Sequence, residues 1–314
     1  MELGRSNLDV FADTLLEIAR EDRDVLVVTS DSRGSGKLTQ FGEVLPAQMI
    51  ELGIAEQNVI GISAGLASAG KKVFATSPAC FITARSLEQI KNDVAYSDQL
   101  VRIIGISAGV SYGALGATHH SIHDFAALRA IHNITILAPA DNFETRETIR
   151  AIHTLDHPVY VRFGKAPQRH VHSPDDSFTI GKAAQVRQGK DMTFIACGET
   201  VSIAMAAAEL LESEGISARV LSMHTIRPLD TGGLIQAAQE TGAIITVEEH
   251  SMFGGLGEAC AGVLMQQGIS VPFKIAAFPD EHLVSGSQTE LFNYYGISPV
   301  GLAGSARRLL AGRK

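Results

Sequence analysis

No uninterrupted apolar run of about 18 residues occurs in this 314-residue chain, and neither a signal peptide nor a lipidation motif is evident. A membrane-spanning helix is therefore not expected. There is no P-loop and no G-x-G-x-x-G on a strand-to-helix turn, which removes the common nucleotide and dinucleotide fingerprints. Basic residues are in deficit, 26 against 34 acidic ones, for a net charge of −8. That balance argues against nucleic acid or an anionic membrane as the main partner. Cysteine is scarce: Cys80, Cys197 and Cys260 are odd in number and far apart. They suit three reduced thiols in a cytoplasmic protein better than a disulfide framework.

What is present describes two α/β domains with closely packed elements: 30 glycines and 45% apolar residues, in a chain long enough for two cores. Helical periodicity over Asn7 to Ala19 precedes a short apolar strand, Asp24 to Ser30. A buried helix follows over Ile54 to Ala69, with Gly70 as its C-terminal stop. Strands are expected at Lys72 to Thr76, Val101 to Ser107, Thr135 to Ala138 and Val159 to Phe163. Helices at Arg85 to Ala95, Ile122 to Arg129 and Phe143 to Thr154 separate them. This alternation calls for a parallel, doubly wound sheet with chemistry at the carboxyl ends of its strands.

The proline-containing, polar stretch around residues 164–180 breaks the rhythm. The expected division is a first domain over 1–168, a linker over 169–182 and a second α/β domain over 183–314. The second domain repeats the pattern, with strands at Met192 to Ala196, Ala218 to Ser222 and Ala243 to Val247. A turn, Gly254-Gly-Leu-Gly257, opens a helix there. Such a turn suits an anion site, but close backbone packing is the commoner reason for such glycines.

The richest stretch chemically is Glu51-Leu-Gly-Ile-Ala-Glu56-Gln-Asn-Val-Ile-Gly61. Glu56 opens a helix of small and apolar residues. An acid there either favours the helix dipole or serves chemistry in a desolvated place. Thr118-His119-His120-Ser-Ile-His123 has a superficial density of metal ligands but no tetrahedral set at a recognised zinc spacing. A lone His is ordinarily structural.

The first stretch resembles the G-[IV]-[AR]-E-[QF] signature of the transketolase family of thiamine-diphosphate enzymes. Further segments agree in order: Asp31 after the first strand, Gly113-Ala-Leu-Gly-Ala-Thr118-His119-His120, Pro139-Ala-Asp141, and Pro158-Val-Tyr-Val-Arg162. The resemblance covers residues 1–170, with a weaker match over 180–314. It implies that Glu56 hydrogen-bonds the aminopyrimidine of thiamine diphosphate and drives the tautomer that activates the cofactor. It also implies that His119 reaches the substrate hydroxyls and aids proton transfer. Asp31 and Phe81 are placed beside the cofactor by the same comparison, although Phe81 equally suits an apolar core.

The family's Mg²⁺-binding G-D-G is absent from all 314 residues. The chain thus resembles the pyrimidine-binding and C-terminal half of a split transketolase. A partner subunit would hold the diphosphate and Mg²⁺, and the assembly would be α₂β₂. Departures from the family pattern fall on the substrate side. Leu115 replaces an acid that reads a substrate hydroxyl, Ser107 replaces a His, and Leu8 stands where a basic residue grips phosphate. Ser35 keeps a phosphate-facing Ser, and Lys165 replaces an Arg, losing bidentate geometry. Where an aromatic usually follows S-T, Ser77-Pro78-Ala79 has none. These changes suggest transfer of a two-carbon ketol unit from an unusual ketose, branched or sulfonated, to an aldose or ketone. Rival readings are the β-subunit of a 2-oxo acid dehydrogenase, a half of a 1-deoxyxylulose-phosphate synthase, and a non-catalytic regulatory subunit.

Overall fold

A computed structural model describes residues 1–173 and 175–312. Pro174 of the expected linker and the last two residues of the expected second domain lie outside the described residues.

The first half forms a seven-stranded sheet. Across it lie Thr225–Arg227, Thr135–Leu137, Val159–Arg162, Val101–Ile106, Lys72–Pro78, Val25–Thr29 and Met49–Glu51. Six of these strands are mutually parallel, and Thr225–Arg227 joins antiparallel at one edge. The central strands are buried on both faces: Val27, Phe74, Ile103, Ile104 and Val161 are fully covered. This is why they read as continuous apolar runs instead of alternating patterns. The strand Thr225–Arg227 comes from the second half of the chain, so the two halves share a sheet edge.

The second half builds a five-stranded sheet in the order Phe273–Phe278, Ile244–Ser251, Met192–Ala196, Ala218–Ser222 and Ala184–Arg187. Only the last strand runs antiparallel to its neighbour. The two mostly parallel sheets with helices between their strands give the expected α/β class.

Two local expectations differ. The helix expected from Arg85 begins at Ala79 instead, runs to Arg85, and continues through Leu87–Gln89 into a wide turn over Ile90–Tyr96. Pro78, extended at φ −51° and ψ 132°, ends the strand and starts the helix. Burial of Ala79, Cys80 and Ile82 outweighs the poor helix propensity of a Cys-Phe-Ile-Thr run. The polar stretch near 164–180 is also strapped down. Pro167–Arg169 pairs antiparallel with Leu3–Ser6. The His172 ring stacks on Phe143 and lies 3.4 Å from Asp141 and 3.3 Å from Glu144.

The Gly254–Gly257 turn serves both packing and charge. A Cβ on Gly257 would meet Ile275 at 2.6 Å, so the backbone needs glycine there. The helix Leu256–Gln266 also receives an anion from within the chain: the Glu248 carboxylate accepts the Leu256 and Gly257 N–H groups, each at 2.7 Å. Burial raises the Glu248 pKa to about 7 despite those donors. Glu248→Leu leaves both donors buried and unpaired. It is expected to lower unfolding stability by about 2–4 kcal/mol, measured by urea unfolding with circular dichroism.

Candidate active site

Because the strands of the first sheet run parallel, the segments after Thr29, Glu51, Pro78, Ile106 and Arg162 emerge on one edge. They carry Asp31, Glu56, Phe81, Ser107 and Lys165 respectively. Asp31 at φ +21° and Ser107 at φ +55° adopt backbone conformations rare for non-glycine residues, and both lie where the chain turns out of a strand.

Glu56 is the first residue of the helix Glu56–Ser68 and is only 4% exposed. It lines a cavity of about 330 Å³ with Ser30, Asp31, Ser32, Ile54, Pro78, Phe81 and Arg85. One carboxylate oxygen lies 2.9 Å from the Arg85 guanidinium. That guanidinium rests 4.6 Å from the Phe81 ring centre. Sequence reading passed over Arg85, although it stands four residues after Phe81 on one helical turn, where side chains meet.

Phe81 and Arg85 also border a second cavity with Cys80, Thr118, His120, His123 and, from the second domain, Glu281 and His282. Burial pushes the Cys80 thiol up to about 11, which leaves it protonated and a poor nucleophile near neutrality. His120 is buried, with Nε2 3.1 Å from the Gly113 carbonyl, and burial lowers its pKa. Among the described residues no group of three or more His, Cys, Asp or Glu side chains gathers as a metal site.

His119 stands half-exposed between two aromatic edges, Phe81 and Tyr112, with ring centres 5.4 Å away in each case. Its Nδ1 lies 3.0 Å from the Thr118 hydroxyl. Lys165 places its ammonium 4.6 Å from the Tyr112 ring. Phe81, His119, Tyr112 and Lys165 therefore form one continuous row, and Tyr112 is its member that sequence reasoning missed. Leu115 projects from the turn Gly113–Leu115, 57% exposed. Ser35 is exposed after Asp31 and lines neither cavity. Leu8, where the family pattern has a phosphate-gripping basic residue, is 1% exposed and packs in the core with Phe11 and Leu15, on the inner face of an amphipathic helix.

The two sheets and this cluster define an α/β chain with its candidate site at the carboxyl edge of the first sheet. Residues 5–169 match the family description "Transketolase, pyrimidine binding domain", and residues 181–302 match "Transketolase, C-terminal domain". The chain belongs to the transketolase family. It is 50% identical to one of the subunits of an apulose-4-phosphate transketolase from Phocaeicola vulgatus, over 94% of this chain and 95% of that one. It is 37% identical to a 6-deoxy-6-sulfo-D-fructose transketolase subunit of a Clostridium species, over 82% of this chain and 80% of that one. A solved structure described as a split gene transketolase, an inactive beta4 tetramer, superposes with a TM-score of 0.88 at 33% identity. That match covers 98% of this chain and 99% of that one.

The Arg85–Glu56 pair lies beside a cavity open to solvent, with Arg85 half-exposed. Glu56 is the buried partner, so losing Arg85 leaves its carboxylate without that cation. Arg85→Ala is expected to lower unfolding stability by about 1–3 kcal/mol, checked by the urea midpoint.

Proposed function

We propose that this chain is the cofactor-activating subunit of a two-subunit transketolase whose donor is an unusual sugar phosphate or sulfonate. The observation that carries the reading is a buried Glu56 at a helix start, facing a cavity with an aromatic side and polar rims. The residues suit the pyrimidine end of thiamine diphosphate: Phe81 offers a ring face, Glu56 a desolvated carboxyl, and Ser30, Asp31 and Ser32 a hydrogen-bonding border. When bound, the cofactor would supply the nucleophilic carbon needed to take up and release a two-carbon unit.

The chain's own residues then divide the work. Glu56, at the helix start and 4% exposed, would hold the pyrimidine nitrogen by a hydrogen bond. Arg85 must leave that carboxyl before a ring nitrogen can take its place. Phe81 orients the heterocycle. His119, held between two aromatic edges, is free to turn its ring nitrogen toward substrate oxygens and move a proton there. Lys165 and Ser35 form the anion-facing side, with Lys165 acting as a point charge instead of a fork. Ser107 and Leu115 leave that side poorer in polar contacts. This suits a substrate that lacks the usual hydroxyl pattern, and the two relatives named for apulose 4-phosphate and 6-deoxy-6-sulfo-D-fructose support that choice.

The division at residues 168 and 183, the Mg²⁺ and diphosphate on a partner subunit, and an α₂β₂ assembly in the cytoplasm are part of the same proposal. Three buried thiols without disulfides accord with a reducing compartment.

Mixed with its partner and cofactor, Glu56→Gln is expected to lose essentially all ketol transfer while its circular dichroism stays unchanged. His119→Ala is expected to lose about 10²–10⁴-fold in kcat, the usual worth of a proton-transfer group. Near-normal turnover by Glu56→Gln would overturn the cofactor assignment. Apulose 4-phosphate and 6-deoxy-6-sulfofructose are to be compared with xylulose 5-phosphate and fructose 6-phosphate. A strong preference for the ordinary pair would remove the specialised substrate and leave the transketolase reading in place.

A further inference from the structure

A second group of acids lies away from both cavities, at the junction of the two domains. Glu199 and Glu249 come from the second domain, and one side-chain amide joins them. Gln288 Nε2 lies 2.9 Å from Glu199 and 2.8 Å from Glu249. Glu249 also accepts the Val110 N–H at 2.8 Å, from the loop that follows Ser107. The first domain closes over these acids without clearance. A Cβ on Gly164 would lie 1.8 Å from Glu199, and one on Gly109 would lie 2.1 Å from Glu249. Gly113 packs against the Gly286–Ser287 backbone immediately before Gln288.

Charge at this junction does not balance. Arg162 is the cation facing both glutamates, and it is already engaged by Asp124 at 3.0 Å. Three carboxylates around one guanidinium would bury about two uncompensated negative charges, at several kcal/mol each. The second oxygen of Glu199 is buried with no hydrogen-bond partner. An acceptor left bare in so tight a place is better explained by a carboxyl that carries a proton.

We propose that Glu199 and Glu249 hold one proton between them, and that this proton latches the second domain onto the loops carrying Tyr112 and Lys165. The two glutamates are then positioning residues for the candidate site. Through Val110 they set the loop that holds Tyr112 against His119, and through Gly164 they set the backbone before Lys165. Deep burial raises the affinity of Glu199 for protons, and its neighbour Glu249 adds to this. Burial raises that of Glu249 too, against the opposing pull of Arg162. The charged groups facing the pair are Arg162 and Asp124. Lys165 follows Gly164 but is exposed, and Glu248 and His250, beside Glu249 on its strand, bind elsewhere, Glu248 at the Leu256 helix start and His250 against Phe125.

The sign of the pH dependence follows. Unfolded glutamates release their protons near pH 4.3 or so, whereas the folded junction keeps one to higher pH. Folding is therefore favoured in mild acid, and that advantage is lost as pH rises through the neutral range. Thermal melting of the purified full-length chain between pH 5 and 8 tests this, comparing wild type with Glu199→Gln and Glu249→Gln. Both variants keep an acceptor but abolish titration at one position. The wild-type Tm is expected to fall by several degrees across that range, and each variant to flatten much of the fall. An unchanged slope in both variants overturns the proposal, since the remaining slope then belongs to groups such as Glu248.

Hydrogen exchange on the wild-type chain keeps the test decisive if a variant does not fold. Protection of the 107–113 backbone, corrected for intrinsic rates, is expected to weaken as pH rises, while that of Leu256 and Gly257 reports Glu248 separately. Constant protection of 107–113 across the range overturns the latch. None of these readouts requires cofactor or partner, so their failure is distinct from failure of the transketolase assignment.

Discussion

The arrangement of this molecule turns on one buried guanidinium. Arg162 ends the strand Val159–Arg162 and reaches Asp124 at 3.0 Å and the Glu249 carbonyl at 3.0 Å, while its plane lies 3.9 Å from the Phe125 ring centre. Asp124 is held on its other oxygen by the Tyr160 hydroxyl at 2.7 Å. Tyr160 in turn occupies the space that a side chain on Gly105 would need. Burial lowers the Arg162 pKa, but the Asp124 charge beside it outweighs that and holds the group charged. Removing either partner would leave an unpaired charge in the interior, which costs far more than the intact pair gains. One ion pair thus fixes a strand, the helix Asp124–Arg129 and a strand of the second domain. The candidate site lies on the strand ends that this pair holds in register.

That dependence explains why the site spans so many segments and still has definite geometry. His119 and Tyr112 belong to an irregular excursion between Ile106 and Asp124, with one short turn of helix and no long element. Such a loop is positioned by what it touches at its edges. At its start, Ala108 donates to the Phe163 carbonyl, and Gly109 and Ser121 pair as an isolated bridge. At its end, Asp124 engages Arg162. Between these anchors the aromatic row and the Val110–Glu249 bond set the path. The interdomain packing is therefore part of the same support that holds the loop over the strand ends.

Much of this was legible in the chain. The alternation of apolar strands and periodic helices gave the parallel sheet, and with it the common edge where Asp31, Glu56, Phe81, Ser107 and Lys165 emerge. Strands buried on both faces announce themselves as Val- and Ile-rich runs, so their positions required no alignment. What escaped were pairings across long sequence separation. Nothing in the local pattern says that Thr225–Arg227 leaves its own domain to edge the first sheet, or that Pro167–Arg169 pairs with Leu3–Ser6. Arg85 and Tyr112 escaped for a different reason. A surface Arg and a lone Tyr are common, and each matters here only through a partner that folding supplies.

The polar economy of the site bears on what enters it. Positive charge at the rim comes from Arg85 and Lys165, and each is engaged with an aromatic face. Lys165 keeps its charge on a ring face, whereas Arg85 also gives one N–H to the Glu56 carboxylate at 2.9 Å. Under the proposed function, a phosphate or sulfonate approaching this edge meets one ammonium on a flexible stem, Lys165, and a guanidinium already engaged by Glu56. Discrimination by such a surface depends on charge and reach more than on the angle between two hydrogen bonds. Under the proposed function, Leu115, exposed and apolar, and Ser107, fully buried, leave few side-chain groups to read the stereochemistry of a sugar's middle carbons. The same reasoning locates selectivity in the anionic end and in the shape of the aromatic row. The Val110–Glu249 bond and the packing of Gly164 on Glu199 tie that row to the domain junction beneath it.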